Sequence, residues 1–160
     1  MPDAISNTSP LVYTYRIGIL DWWSQLFSSV WIPQQVIDEL QAGQNYGYDV
    51  PTYEALAWAE IVEPRHMPQE WFALDLGLGE VAAMSVALDY PERVLVLDDL
   101  LARRTAQTAG LHVWGTLRIL LEAKSQRLTP EITPYVEKLQ ASGMYMSEAI
   151  KRRVLHLAGE

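Results

Sequence analysis

The run Val94-Leu95-Val96-Leu97, closed by Asp98-Asp99, limits what this chain can fold into more than any other stretch. Four aliphatic residues in succession, without the polar alternation of a half-exposed strand, read as a central strand buried on both faces. Such strands belong to parallel sheets covered by helices on each side. The preceding residues supply one of those helices. After Gly77-Leu78-Gly79, the residues Glu80, Ala83, Met84, Ala87 and Leu88 recur at helical spacing. A helix is therefore predicted to run to about Tyr90, where Pro91 disfavours continuation, with Glu80 on its core-facing stripe. About ten helical residues descend roughly 15 Å, and the strand residues Val94 to Asp98 climb back roughly 16 Å. If the two pack antiparallel, Glu80 and Asp98 finish together at the carboxyl edge of the sheet, where open α/β sheets bind ligands. Two acids there repel each other unless protonated or bridged by a cation. A hard divalent ion such as Mg²⁺ or Mn²⁺, which takes oxygen ligands, is a natural bridge.

Other readings of these residues remain open from the local pattern. Glu80 also suits a helix start, and Asp98 or Asp99 the cap of the next helix. Gly77-x-Gly79-x-x-Ala82, with Asp98 at a strand end about twenty residues later, also matches a dinucleotide-binding fingerprint. Against that match, Glu80 would place like charge beside the pyrophosphate, and 160 residues are few for the second catalytic domain such enzymes carry.

The rest of the chain alternates strand and helix signals. Ala4-Ile5-Ser6 is a strand candidate, and Pro10 suits a first helical position with Ser9 as its cap. Asn7 then falls at the carboxyl end of the first strand, on the same edge as Asp98. Leu11 to Tyr15 and Leu20 to Phe27 read as helical pieces broken near Gly18. Val30-Trp31-Ile32 reads as a strand, and Pro33 opens a helix to about Gln41 on which Glu39 borders the apolar face of Val36 and Leu40. Gln44 to Pro51 is a loop, Tyr53 to Ala59 a helix, Ile61-Val62 an edge strand, and Pro64 to Glu70 a connection. Leu101 to Ala109 forms a helix stopped by Gly110. Leu111 to Trp114 makes a last strand, Gly115-Thr116 opens a helix through Lys124, and Ser147 caps a final amphipathic helix. Alternation of this kind implies an α/β fold, a mainly parallel sheet with helices on both faces.

Composition narrows the classes of function. At 160 residues, 49% hydrophobic, with six Trp and eight Tyr, the chain is long enough for one domain with its own core. The absence of cysteine excludes disulfides and thiolate metal sites, no apolar run reaches membrane length, and the start lacks a secretory pattern. A cytoplasmic protein without a membrane partner is expected. Net charge is −8, with −11 over residues 1–92 and +3 over residues 93–160. An acidic chain is a poor partner for a polyanion, but Arg93, Arg103, Arg104, Arg118, Lys124 and Arg127 leave room for a local basic patch. The aromatic excess suits the core or, equally, a partner or dimer interface.

With these residues in order, the chain resembles PIN-domain proteins over nearly its whole length, and among them the VapC-like branch with a Gly-Glu at the start of the middle helix. The matching pieces are Ser6 to Leu11, Ile17-Gly18 with Leu20-Asp21, Ile32-Pro33 with Val36 to Leu40, Gly79-Glu80, Leu97-Asp98-Asp99 with Ala102-Arg103, Gly110 to Leu117, and Leu157 to Glu160. The resemblance implies a three-layer α/β/α sandwich of four to five mainly parallel strands. It implies metal-dependent cleavage of RNA using Mg²⁺ or Mn²⁺, a toxin held inactive by a small antitoxin, and a homodimer. Carried over by position, the acidic cluster is Glu39, Glu80 and Asp98, with Asp99 as an additional member, and the metal ligands are Asn7, Glu39, Glu80 and Asp98. Asn7 stands where the family has its first aspartate. Its amide oxygen can still ligate a metal but adds no charge, so a weakened, protein- or RNA-binding module is the alternative. Ser9 and Thr116 would offer hydroxyls near the scissile phosphate, and Arg103 or Arg104 would meet the RNA backbone.

Overall fold

The computed structural model describes residues 1–160. Its strands are β1 (Asp3–Ser6), β2 (Ser29–Pro33), β3 (Glu60–Val62), β4 (Val94–Val96) and β5 (Val113–Trp114). Its helices are α1 (Thr8–Arg16), α2 (Trp22–Leu26), α3 (Gln34–Asn45), α4 (Gln69–Phe72), α5 (Leu78–Asp89), α6 (Leu100–Thr108), α7 (Thr116–Ser125), α8 (Thr133–Ala141) and α9 (Glu148–Leu157). All five strands are parallel, in the order β3-β2-β1-β4-β5. The chain starts in the middle, builds outward through β2 and β3, then crosses back to add β4 and β5. The reversal lies between β1 and β4, where Ile5 pairs with Leu95, and a crevice at the carboxyl ends of such strands is the usual ligand site of an open parallel sheet.

Helices cover both faces, giving three layers. On one face α5 and α6 bury Ile5, Val81, Met84, Leu95, Leu97, Ala102 and Ala106. On the other, Leu11, Trp23, Leu26, Val36, Leu40 and Ile119 close over Ala4, Val30, Ile32 and Val96. A smaller cluster of Ile17, Leu120, Ile132, Val136, Leu139 and Val154 fastens α8 and α9 against α7. Leu95, Val96 and Leu97 have no exposed surface, as a central strand without polar alternation requires.

Several local expectations need correction. Asn7, not Ser9, occupies the cap position of α1, and Pro10 is its third residue. The first amides of a helix have no acceptor within it, so proline is tolerated there. The extended Asn7 instead continues the ladder, donating its N–H to the Val96 carbonyl at 3.2 Å. Tyr53 to Ala59 forms only a single tight turn, Tyr53–Leu56, with Thr52 at its cap, because Glu60 must already pair with Trp31. The helix after Pro33 runs on to Asn45, and the connection from Pro64 contains the start of α4, with Trp71 buried. No single stripe of α5 faces the core. Gly79 and Val81 to Ala87 are all buried, whereas Leu88 is 40% exposed, because α3 packs against this helix as well as the sheet. Arg93 does not belong to an exposed basic patch. It is buried, its guanidinium lies 3.3 Å from the centre of the Trp31 ring, and it donates to the Ala4 carbonyl and Ser29 Oγ.

Candidate metal centre

The residues proposed for the site reach the carboxyl edge from four elements, and the helix N-termini there receive the acids. Free N–H groups and the helix dipole favour anions at these ends. Asp98, two residues beyond β4, accepts the Thr116 N–H at 2.8 Å through Oδ1 and the Thr116 hydroxyl at 2.7 Å through Oδ2, so it sits on the first turn of α7. Burial pushes its carboxyl above the usual range, although both Thr116 hydrogen bonds and the charge of Arg103 pull it down. Gly115 makes this approach possible. A Cβ there would lie 3.1 Å from Arg103 Nη1 and 3.3 Å from Asp98 Oδ1.

Glu80 and Glu39 share the start of α5. Glu80 folds back to accept the Gly77 N–H at 3.0 Å, as an acid at the third helical position does. Burial raises its pKa, the Gly77 hydrogen bond lowers it, and the like charges of Asp99, Glu39 and Asp75 raise it further. Glu39 arrives from α3 and accepts the Gly79 N–H at 2.7 Å and the Thr8 hydroxyl at 2.6 Å. Its carboxylate fills the space a side chain at 79 would need, since a Cβ on Gly79 would stand 2.6 Å from Oε1. Asp99 is exposed and caps α6, accepting the Ala102 N–H at 2.9 Å.

Asn7 follows β1 on the same edge, beside the end of β4. It is 2% exposed, and its Oδ1 is buried with no hydrogen-bond partner. A buried carbonyl left without a donor costs about 1–3 kcal/mol, so this oxygen is a ligand in waiting or an unrelieved defect. The charges of Asp99, Glu39 and Asp75 act on Glu80, while Asp98 is held by Thr116 beside Arg103. No three His, Asp or Glu side chains lie close enough to hold a metal ion between them. Mg²⁺ is commonly held by one or two carboxylates with the remainder as water, and an amide oxygen with carboxylates is the donor set of a hard ion. In kind, the residues fit.

The DUF3368 family model, a PIN domain, matches residues 3–160. The chain belongs to the PIN-domain family. No curated protein matches it. Among solved structures, a domain of a functionally unknown protein from Methanocaldococcus jannaschii superposes with a TM-score of 0.51 at 20% identity, covering 72% of this chain and 91% of that one. At that identity the likeness concerns the fold. PIN domains are in general metal-dependent nucleases, so membership suggests a nuclease-type function for this one.

The remaining residues of this PIN domain divide plainly. Thr116 and Arg103 are at the site. Ser9 is half-buried in the first turn of α1. Arg104 is exposed one position beyond Arg103 and lines a groove with Trp71, Thr105 and Thr108. Two residues escaped the sequence reading. Thr8 holds Glu39, and its only local signal is adjacency to Asn7. Tyr13 has its phenol pKa raised by burial and by the charge of Asp98. It follows Asn7 by six residues along α1, a spacing that carried no signal without the position of Asp98. No helix is long and apolar enough to cross a membrane.

Proposed function

We propose that this PIN domain is a divalent-metal-dependent ribonuclease and the toxin member of a toxin–antitoxin pair. The observation that carries the reading is the buried, partnerless Oδ1 of Asn7 on the same edge as Asp98 and Glu80. Burial pushes both of those carboxyls up, and a bound cation would relieve that penalty. Asn7 with one or two of the carboxylates of Glu39, Glu80 and Asp98, and water for the remainder, would hold Mg²⁺ or Mn²⁺, which when bound polarises a phosphodiester and makes water a better nucleophile. Thr116 aims Asp98, while Thr8 and the Gly79 N–H aim Glu39. Glu80 has the raised pKa of a group suited to take a proton from water. Arg103 sets a cation beside Asp98, where a phosphate would lie. Ser9, half-buried in the first turn of α1, would offer its hydroxyl to the phosphate, whereas the Thr116 hydroxyl is already given to Asp98. RNA as substrate, a small antitoxin as partner and a homodimer as assembly rest on the VapC-like pattern around Gly79-Glu80.

The test is cleavage of labelled single-stranded RNA by purified protein freed of any bound partner, with Mg²⁺ or Mn²⁺ and with chelator. Metal-dependent cleavage lost in Glu80→Gln and in Asp98→Asn is expected, while protein inert with both ions would overturn the reading. A second reading, a module that binds RNA or protein without cutting, is favoured by the neutral Asn7 and by the lack of any three acids close enough to share an ion. That reading predicts RNA binding unchanged by chelator.

A further inference from the structure

From Ile17 to Pro64 the chain has seven Asp and Glu and no Lys or Arg. Within that segment, Tyr46, Tyr48 and Tyr53 are 79%, 64% and 59% exposed. The Tyr46 and Tyr48 rings stack with centroids 6.0 Å apart. Their loop is fastened at several points. Arg16 Nε donates to the Asp49 carbonyl at 2.9 Å, Gln44 Nε2 to the Pro51 carbonyl at 2.9 Å, and the Tyr48 N–H to the Gly43 carbonyl at 2.9 Å. Tyr48 Cδ2 lies 3.8 Å from where a Cβ on Gly43 would stand. Nothing in the fold requires aromatic rings so exposed. Tyrosines held in place give large contact area at low entropic cost, and their faces attract guanidinium and ammonium groups.

Charge selects the occupant. Asp49 and Glu54 are exposed in the same loop and turn, against one cation, Arg16, whose guanidinium is held on the Asp49 carbonyl. RNA would bring like charge to this face, and a second copy would set acid against acid. We propose that Tyr46, Tyr48 and Tyr53 form a docking surface for an arginine- and lysine-rich segment of another protein. Tyr46 follows Glu39 by seven residues, about 10 Å along the helix axis, so the surface is separate from the carboxyl edge. It stands whether or not this PIN domain cleaves RNA.

A short fluorescein-labelled Arg-Ser repeat peptide, titrated against the full chain by anisotropy, tests this. Because that probe would also be drawn to the acids at the carboxyl edge, the variants locate it. Binding about tenfold weaker in Tyr46→Ala/Tyr48→Ala is expected, together with unchanged binding in Glu80→Gln and weakening by salt that Asp49→Asn/Glu54→Gln reduces. The proposal is overturned if the intact chain does not bind, if the tyrosine variant binds equally well, or if only Glu80→Gln loses affinity. It is also overturned if the tyrosine variant instead loses binding of a single-stranded RNA oligonucleotide or dissociates a dimer in sedimentation.

Discussion

Gly79 has no side chain, and the residue that depends on this lies forty positions away in the sequence. The Glu39 carboxylate occupies the vacant volume and accepts the Gly79 N–H, so Gly79→Ala must displace it. The expected result is a loss of about 1–3 kcal/mol in denaturant unfolding, with any nuclease activity falling as far as it does in Glu39→Gln. Asn7 makes the opposite case. Its oxygen is buried without a partner, and aspartate in its place would put an uncompensated charge there. Asn7→Asp should therefore lower the melting temperature of metal-free protein, by the equivalent of several kcal/mol. Added Mn²⁺ should restore it, with calorimetry showing tighter metal binding than in the unsubstituted protein. Equal melting temperatures for the two proteins in chelator would contradict that account of the site.

At the scale of elements, the carboxyl edge is a row of helix starts. Glu39 and Glu80 meet α5, Asp99 meets α6 and Asp98 meets α7, so main-chain N–H groups oppose the mutual repulsion of the acids before any metal binds. Asp99 is the instructive member because it has two readings. As a cap, it is replaceable by Asn with little change, whereas Ala costs about 1 kcal/mol in thermal or chemical unfolding. As an electrostatic neighbour, it raises the pKa of Glu80. Asp99→Asn should consequently retain stability, and the activity left in it measures what the charge contributes beyond capping. The helix spacing around Glu80 was readable in the sequence. The wrapping of α5 on every side was not, because its further neighbour, α3, lies some forty residues earlier.

For the molecule as a whole, the three C-terminal helices are fastened by a latch. The Glu160 side chain accepts from the N–H groups of Ile132 and Thr133, from the Thr133 hydroxyl and from Lys124 Nζ, joining α7 and α8 to the segment after α9. Burial alone would raise its pKa, but the hydrogen bonds from Thr133 and Lys124, with those of the two main-chain N–H groups, hold it down to about 2. A carboxyl depressed in the folded state contributes stability that is complete above its ordinary 4.5 and is lost as pH falls toward about 2. Melting temperature measured across that interval should fall less steeply in Glu160→Gln than in the unsubstituted protein. Identical slopes would remove the latch from the account. The docking surface belongs to this scale too, since an acidic, aromatic face and an acidic edge lie on one molecule.

The sequence by itself determined the order of the strands and the parallel sheet with helices on both faces. Both follow from local periodicity and buried aliphatic runs. Tertiary structure alone decided that Glu39 points to Gly79, that Asp99 is spent on a cap, that Arg93 is buried on Trp31 and that Asn7 keeps an unpaired oxygen. Hydrogen-bond partners and burial are set by residues distant in the chain, and no local spacing encodes what will be packed against a side chain from the other layer.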